Sequence, residues 1–138
     1  MPVDDQDLNA HMLTWDPAIP IYRQLRDRTV ALILEGGLRA GDPLPSVRQM
    51  AVELQINPLT ISKAYQGLLD EGWVERRRGL GWFVLPDAPA RLRERELAHF
   101  FHEEWPQFQA RMRQLGISLT DVQAHEALAS AGRSNVMA

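Results

Sequence analysis

Leu44-Pro45-Ser46-Val47-Arg48-Gln49-Met50-Ala51 is followed closely by Asn57-Pro58-Leu59-Thr60-Ile61-Ser62-Lys63-Ala64-Tyr65, and these two stretches decide the fold. Ser46 is a good helix N-cap, and Gln49 three residues later completes a capping-box pattern. Val47, Met50, Ala51 and Leu54 then recur at helical spacing as one apolar stripe. Asn57-Pro58 is a second start signal: asparagine accepts from the free N–H groups of a first turn, and proline has no N–H to leave unpaired there. Ile61, Ala64, Tyr65, Leu68 and Leu69 form the second stripe, which Gly72 ends. Only Gln55 and Ile56 lie between Leu54 and the Asn57 start, so the connection must be a sharp helix–helix corner with Ile56 as its apolar plug.

Trp73 to Arg77 and Trp82 to Leu85 alternate like two strands about Arg78-Gly79-Leu80-Gly81. A helix-turn-helix followed by such a hairpin, or wing, is a device for reading DNA. The N-terminal end of a recognition helix enters the major groove, so it needs short polar residues, and Asn57, Thr60, Ser62 and Lys63 meet that need. Taken alone they would be ordinary cap and surface residues; their place directly after the corner favours the DNA reading. Ser46 and Arg48 open the preceding helix, where free N–H groups and the helix dipole favour phosphate. Arg76, Arg77 and Arg78 could be a solvated charge run, but at a hairpin tip with glycines they suit a wing at the minor groove. Strand alternation puts Arg76 and Arg78 on one face and Arg77 on the other, with Arg78 nearest the tip.

Upstream, residues 1–19 hold four acids and no Lys or Arg, and read as an N-terminal arm. Pro20 is expected in the first turn of a helix whose core face is Tyr22, Leu25, Thr29, Leu32 and Ile33, ended by Gly36-Gly37. Leu38 to Pro45 reads as a loop. The DNA-binding domain is therefore expected over 20–85, with Pro86 and Pro89 closing it. Beyond, Leu97, Phe101, Trp105, Phe108, Met112 and Leu115 make a heptad-like seam on one long helix, kinked by Pro106 and ended by Gly116. Ser118 caps a last short helix to about Ala131. Residues 86–131 are expected to form a helical dimerisation region, because so short a region offers the seam little else to pack against, and 132–138 a flexible tail. A two-fold dimer suits palindromic DNA. The fold class is α+β and mostly helical.

The net charge of −3 argues mildly against a nucleic-acid partner, so its distribution matters. Residues 1–19 carry −4, residues 20–85 carry nine basic and seven acidic residues (+2), and residues 86–138 carry six basic and seven acidic (−1). Only the expected DNA-binding segment is basic, and a local patch suffices because salt screens charge over roughly 10 Å. The absence of cysteine excludes disulfides and thiolate metal sites. No apolar run is long enough for a membrane span, and no signal peptide is evident, so a cytoplasmic protein is expected. No nucleophile elbow, phosphate loop or acid/base constellation suggests an enzyme, and no cofactor is expected. His99, His102 and Glu103 have spacing that one helical turn could offer a metal, but no Asp or Cys cluster accompanies them.

The segment from Pro20-Ile21-Tyr22-Arg23-Gln24-Leu25 to Gly81-Trp82-Phe83-Val84 resembles the winged helix-turn-helix of the GntR family of bacterial transcription regulators. Gly41-Asp42-Pro43-Leu44-Pro45-Ser46-Val47-Arg48, Thr60-Ile61-Ser62-Lys63-Ala64-Tyr65, Leu68, Gly72-Trp73 and Gly79-Leu80-Gly81 carry the likeness. The short C-terminal part is similar to that of the YtrA subfamily, whose appendage is a two-helix dimerisation unit. The resemblance implies that Arg48, Asn57, Pro58, Thr60, Ser62 and Lys63 face DNA and that Arg78 and Gly79 enter the minor groove. Some relatives have arginine where Pro58 and Ser62 stand, so base preference does not carry across. It further implies a homodimeric repressor of an inverted-repeat operator, in a subfamily that often controls its own operon or one encoding an ABC transporter. A small-molecule effector is left open. The alternative reading is a winged-helix module that binds protein partners and no DNA.

Overall fold

The glutamine in the first apolar turn, Gln24, sets how the chain enters the fold. The computed structural model describes residues 14–136; the expectations for residues 1–13 and for the end of the tail lie outside them. Asp16 N–H donates to Gln24 Oε1 at 2.9 Å, and Gln24 Nε2 donates to the carbonyls of Asp16 and Ile19, both at 2.8 Å. This buried amide clamps the turn that delivers the chain to helix α1, Ile21–Glu35. Pro20 lies one position earlier than expected: it is the N-cap, with ψ of 137°. Gln24, Leu25, Thr29, Leu32 and Ile33 are the buried face of α1, and Gly36 closes it at φ 89°.

Helix α2, Val47–Leu54, and helix α3, Pro58–Asp70, form the corner. Gln49 N–H donates to Ser46 Oγ at 3.0 Å and Leu59 N–H to Asn57 Oδ1 at 2.9 Å, so both expected caps are in place. The turn is tight enough to put Gln55 in the left-handed region, φ 54°, an uncommon conformation for a residue with a Cβ. Met50 and Ala51 are buried, and Val47, Leu54 and Ile56 pack partly buried against the same core. On α3, Ile61, Ala64, Tyr65 and Leu68 are buried. Gly67 lets α1 come close, since a Cβ there would lie 3.2 Å from Arg26 Cδ.

Strands β1, Val74–Arg77, and β2, Gly81–Val84, pair antiparallel with Val74 opposite Val84 and Arg77 opposite Gly81. The stretch before α2 does more than connect. Gly41 N–H donates to the Val84 carbonyl, Val84 N–H to the Asp42 carbonyl and Leu44 N–H to the Trp82 carbonyl, at 2.9, 2.9 and 2.8 Å. The wing thus gains a short third edge, with Pro43 bridged to Phe83, and proline is acceptable there because an edge residue needs no inward N–H. The result is an α+β, mostly helical winged helix-turn-helix.

Helix α4 spans Ala88–His99, so Pro89 starts a helix where it was expected to close the domain; the first turn has no use for its missing N–H. Ala88 and Leu92 join the core, and Arg91 and Arg95 stack on Trp73 at 5.1 and 4.9 Å from its ring centroid. The chain accordingly divides into two compact units between Arg95 and Glu96, beyond Leu85. In the second unit a π-helical turn, Phe100–Glu104, precedes helix α5, Trp105–Leu115. Trp105 N–H bonds to the Phe100 carbonyl five residues back, an adjustment that precedes Pro106 in the first turn of α5.

Helix α6 spans Leu119–Val136 and runs past Ala131 through Gly132. A helix-interior glycine costs only about 1 kcal/mol relative to alanine, and four alanines stand among residues 124–131. Ser118 and Asp121 cap its start: Ser118 N–H and Oγ–H donate to Asp121 Oδ2 at 2.8 and 3.0 Å, and Asp121 N–H returns to Ser118 Oγ at 3.3 Å. The backbone bond, and then the hydroxyl, hold the Asp121 carboxyl below its ordinary value. The cap's contribution is therefore present above the ordinary carboxylate range and is lost as pH falls through the lowered value.

Tyr65 O–H donates to the Pro45 carbonyl at 2.7 Å. Tyr65→Phe keeps the ring and strands that carbonyl, so equilibrium urea unfolding should show a loss of about 1–2 kcal/mol.

Candidate nucleic-acid interface

The helix corner brings the N-terminal ends of α2 and α3 to one place: Arg48, Val52 and Pro58 line a shared hollow floored by Val47, Ala51 and Ile56. Ser46, Arg48, Asn57, Pro58 and Lys63 are exposed, whereas Thr60 and Ser62 are half-buried. The helix dipole favours an anion at both starts, although in α3 the first-turn N–H groups are already engaged: Pro58 has none, and Leu59 and Thr60 N–H both donate to Asn57. The Ser46 hydroxyl accepts from Gln49 and keeps its own proton to donate.

Lys63 extends over the Tyr22 ring, with Nζ 4.1 Å from the centroid. A cation held over an aromatic face keeps its charge at a defined place on the surface. The Lys63–Tyr22 pairing escaped the sequence, because nothing in the spacing of Tyr22 and Lys63 says that α1 crosses α3 there.

In the wing, Arg76, Arg78 and Gly79 line one hollow, in keeping with Arg76 and Arg78 on the same face. Arg76 stacks over Trp82 at 5.4 Å, while Arg77 stacks over Phe83 at 4.3 Å and pairs with Glu75 at 2.7 Å. That leaves Arg78 at the tip, where Leu80 N–H closes the turn onto the Arg77 carbonyl at 2.9 Å and Gly79 takes φ +76°. Trp82 meets Tyr65 edge-on, ring centroids 5.6 Å apart, which fixes the wing to α3.

The aromatic seam lies apart from this surface in sequence. Leu97, Phe101, Phe108 and Leu115 are 44, 57, 58 and 55% exposed, and Trp105 and Met112 are half-buried. The π turn alters the expected spacing: Phe100 shares a hollow with Phe108, together with Glu104, Gln107 and Arg111, and stands edge-on to Phe101 at 5.1 Å. His99 faces Glu104 at 3.9 Å, and among the described residues no group of three or more His, Asp or Glu could hold a metal ion. Among the same residues no helix is long and apolar enough to cross a membrane.

Two capped helices at a sharp corner and an arginine-tipped hairpin locked to the second of them define a winged helix-turn-helix domain. Residues 21–84 match the family of bacterial regulatory proteins named for gntR. A GntR family transcriptional regulator from Listeria monocytogenes shares the fold with 31% identity and a TM-score of 0.60, over 82% of this chain and 97% of that one. A transcriptional regulator from Oenococcus oeni superposes with a TM-score of 0.64 at 26% identity, over 83% of this chain and 93% of that one. The chain belongs to the GntR family. It is also 41% identical over 85 residues to the HTH-type transcriptional repressor YtrA of Bacillus subtilis (strain 168), a match spanning 60% of this chain and 65% of that relative.

Gly79→Ala places a Cβ where φ is +76°, with no neighbour within 4 Å to clash, so the cost is backbone strain alone. It should lower unfolding stability by about 1 kcal/mol in urea titrations.

Proposed function

We propose that this protein is a homodimeric transcriptional repressor that binds an inverted-repeat DNA operator. The carrying observation is the convergence of Arg48 and Pro58, from the starts of two helices, at one exposed hollow. In this reading α3 enters the major groove from its Asn57 end, with Thr60 and Ser62 near base edges and Lys63 on phosphate. Ser46 and Arg48 hold the backbone from α2, and Arg78 and Gly79 reach the adjacent minor groove. Repression is the role carried by the name of the B. subtilis relative, and a dimer seated across a promoter blocks it sterically.

The second unit supports the dimer. Among described residues 96–133 no side chain is buried, while Leu97, Phe101, Phe108 and Leu115 expose apolar surface. Such a face gains free energy by leaving water, at roughly 25 cal/mol per Å². A second copy offers the same face in two-fold symmetry, with Trp105 and Met112 in the contact. In this proposal 20–85 form the DNA-binding domain, with Ala88 and Leu92 packed on its core, and the dimer contacts of 86–131 come from Leu97 onward.

Fluorescence anisotropy against the protein's own upstream DNA and a scrambled duplex, across a salt series, tests the reading. Tight binding to the native duplex that weakens with salt is the expected result; no binding to either duplex at low salt would shift the assignment to a protein-partner module. Arg48→Ala and Lys63→Ala should weaken binding to all sequences and each lower the salt slope by about one, whereas Thr60→Ala should cost about 1–3 kcal/mol on the specific site. Sedimentation equilibrium should report a dimer for the wild type and a monomer for Trp105→Asp; an unchanged mass would refute the proposed interface.

A further inference from the structure

We propose that Leu59 determines part of the operator sequence by reading the C5-methyl group of a thymine. This rests on the DNA-binding reading above. The residues in the first turn of α3 differ sharply in reach: Leu59 is 75% exposed, whereas Thr60 and Ser62 are half-buried. An aliphatic side chain thus stands in solvent, beside exposed Asn57 and Pro58, at the reading end of the recognition helix.

The helix corner carries further exposed apolar surface. Val52 on α2 is 73% exposed, and it lines with Pro58 the hollow whose floor is Val47, Ala51 and Ile56. Single exposed leucines need no explanation, but Leu59 follows Pro58 directly and stands one helical turn before Lys63, among the residues proposed to face DNA. When DNA covers that surface, water leaves it. Against an amino or carbonyl base edge, a leucine would strip a polar group of its hydrogen bonds and return none. The major groove offers one apolar feature, the methyl group of thymine. Leu59 therefore favours thymine at the base pair it meets and discriminates against cytosine, which lacks that methyl.

The position was masked in the sequence by its place between two informative neighbours. Leu59 falls off the Ile61, Ala64, Tyr65, Leu68 stripe and carries no polar group, so neither the core pattern nor the base-contact pattern selects it.

The test begins with selection of duplexes from a randomised double-stranded library by the full-length protein. If no sequence is enriched over the starting library, the DNA-reading assignment itself fails, and this proposal with it. With an enriched duplex in hand, each thymine is replaced in turn by uracil, which removes only the methyl. At one thymine in each half-site, uracil should weaken wild-type binding about fourfold, the value of one buried methyl-sized group. Leu59→Ala should bind the thymine duplex more weakly and should no longer distinguish thymine from uracil there. Because Leu59 is exposed and alanine is a good helix former, this variant should retain wild-type thermal unfolding. Leu59→Met, which keeps an apolar tip, should restore the distinction. Uracil tolerance by the wild type at every position, or equal sensitivity in Leu59→Ala, would overturn the assignment.

Discussion

Tyr65 ties together the two corner helices and the wing. Its hydroxyl holds the Pro45 carbonyl at the entry to α2, and its ring meets Trp82 of the wing edge-on. Ile61, Ala64 and Leu68, on the same face of α3, complete the buried surface of that helix. One side chain thereby couples the start of α2, the body of α3 and the hairpin. A buried phenol does this well because its ring supplies apolar area while its O–H satisfies a carbonyl that would otherwise be stranded. The edge formed by Gly41 to Leu44 against β2 strengthens the same junction with backbone hydrogen bonds.

The basic side chains at the surface are ordered by aromatic rings more than by carboxylates. Lys63 rests over Tyr22, Arg76 over Trp82 and Arg77 over Phe83. Of these, Arg77 also has a close carboxylate partner in Glu75. Holding a cation by a ring leaves its charge uncompensated, whereas an ion pair would cancel much of its field. It also removes part of the side-chain entropy that binding would otherwise cost. Residues 20–85 are net positive, nine basic against seven acidic, within a chain of net charge −3.

The two units differ in how they satisfy the hydrophobic effect. The first buries its own core, from Leu25 on α1 through Tyr65 and Trp82 to Leu92 on α4. The second carries aromatic and aliphatic side chains at helical spacing and leaves them exposed among its described residues. The π turn matters to that face, because one extra residue per turn changes which ring comes next to Phe108.

Local chemistry made much of this legible from the chain alone. Ser46, Asn57-Pro58, Gly36 and Gly72 are start and stop signals whose effect is confined to one helical turn, so the corner and both of its caps could be read directly. The arginine hairpin followed from strand alternation, down to Arg76 and Arg78 sharing a face. What needed tertiary structure was every feature whose partner is distant in sequence. Gln24 clamping Asp16 and Ile19, Lys63 finding Tyr22, the third edge of the wing and the stacking of Arg91 and Arg95 on Trp73 all depend on where separate elements cross. The same holds for exposure: Thr60 carries the polar group, but packing of α3 leaves Leu59 the more exposed of the two. Periodicity assigns residues to a face; only the packed neighbours determine how much of each face remains in water.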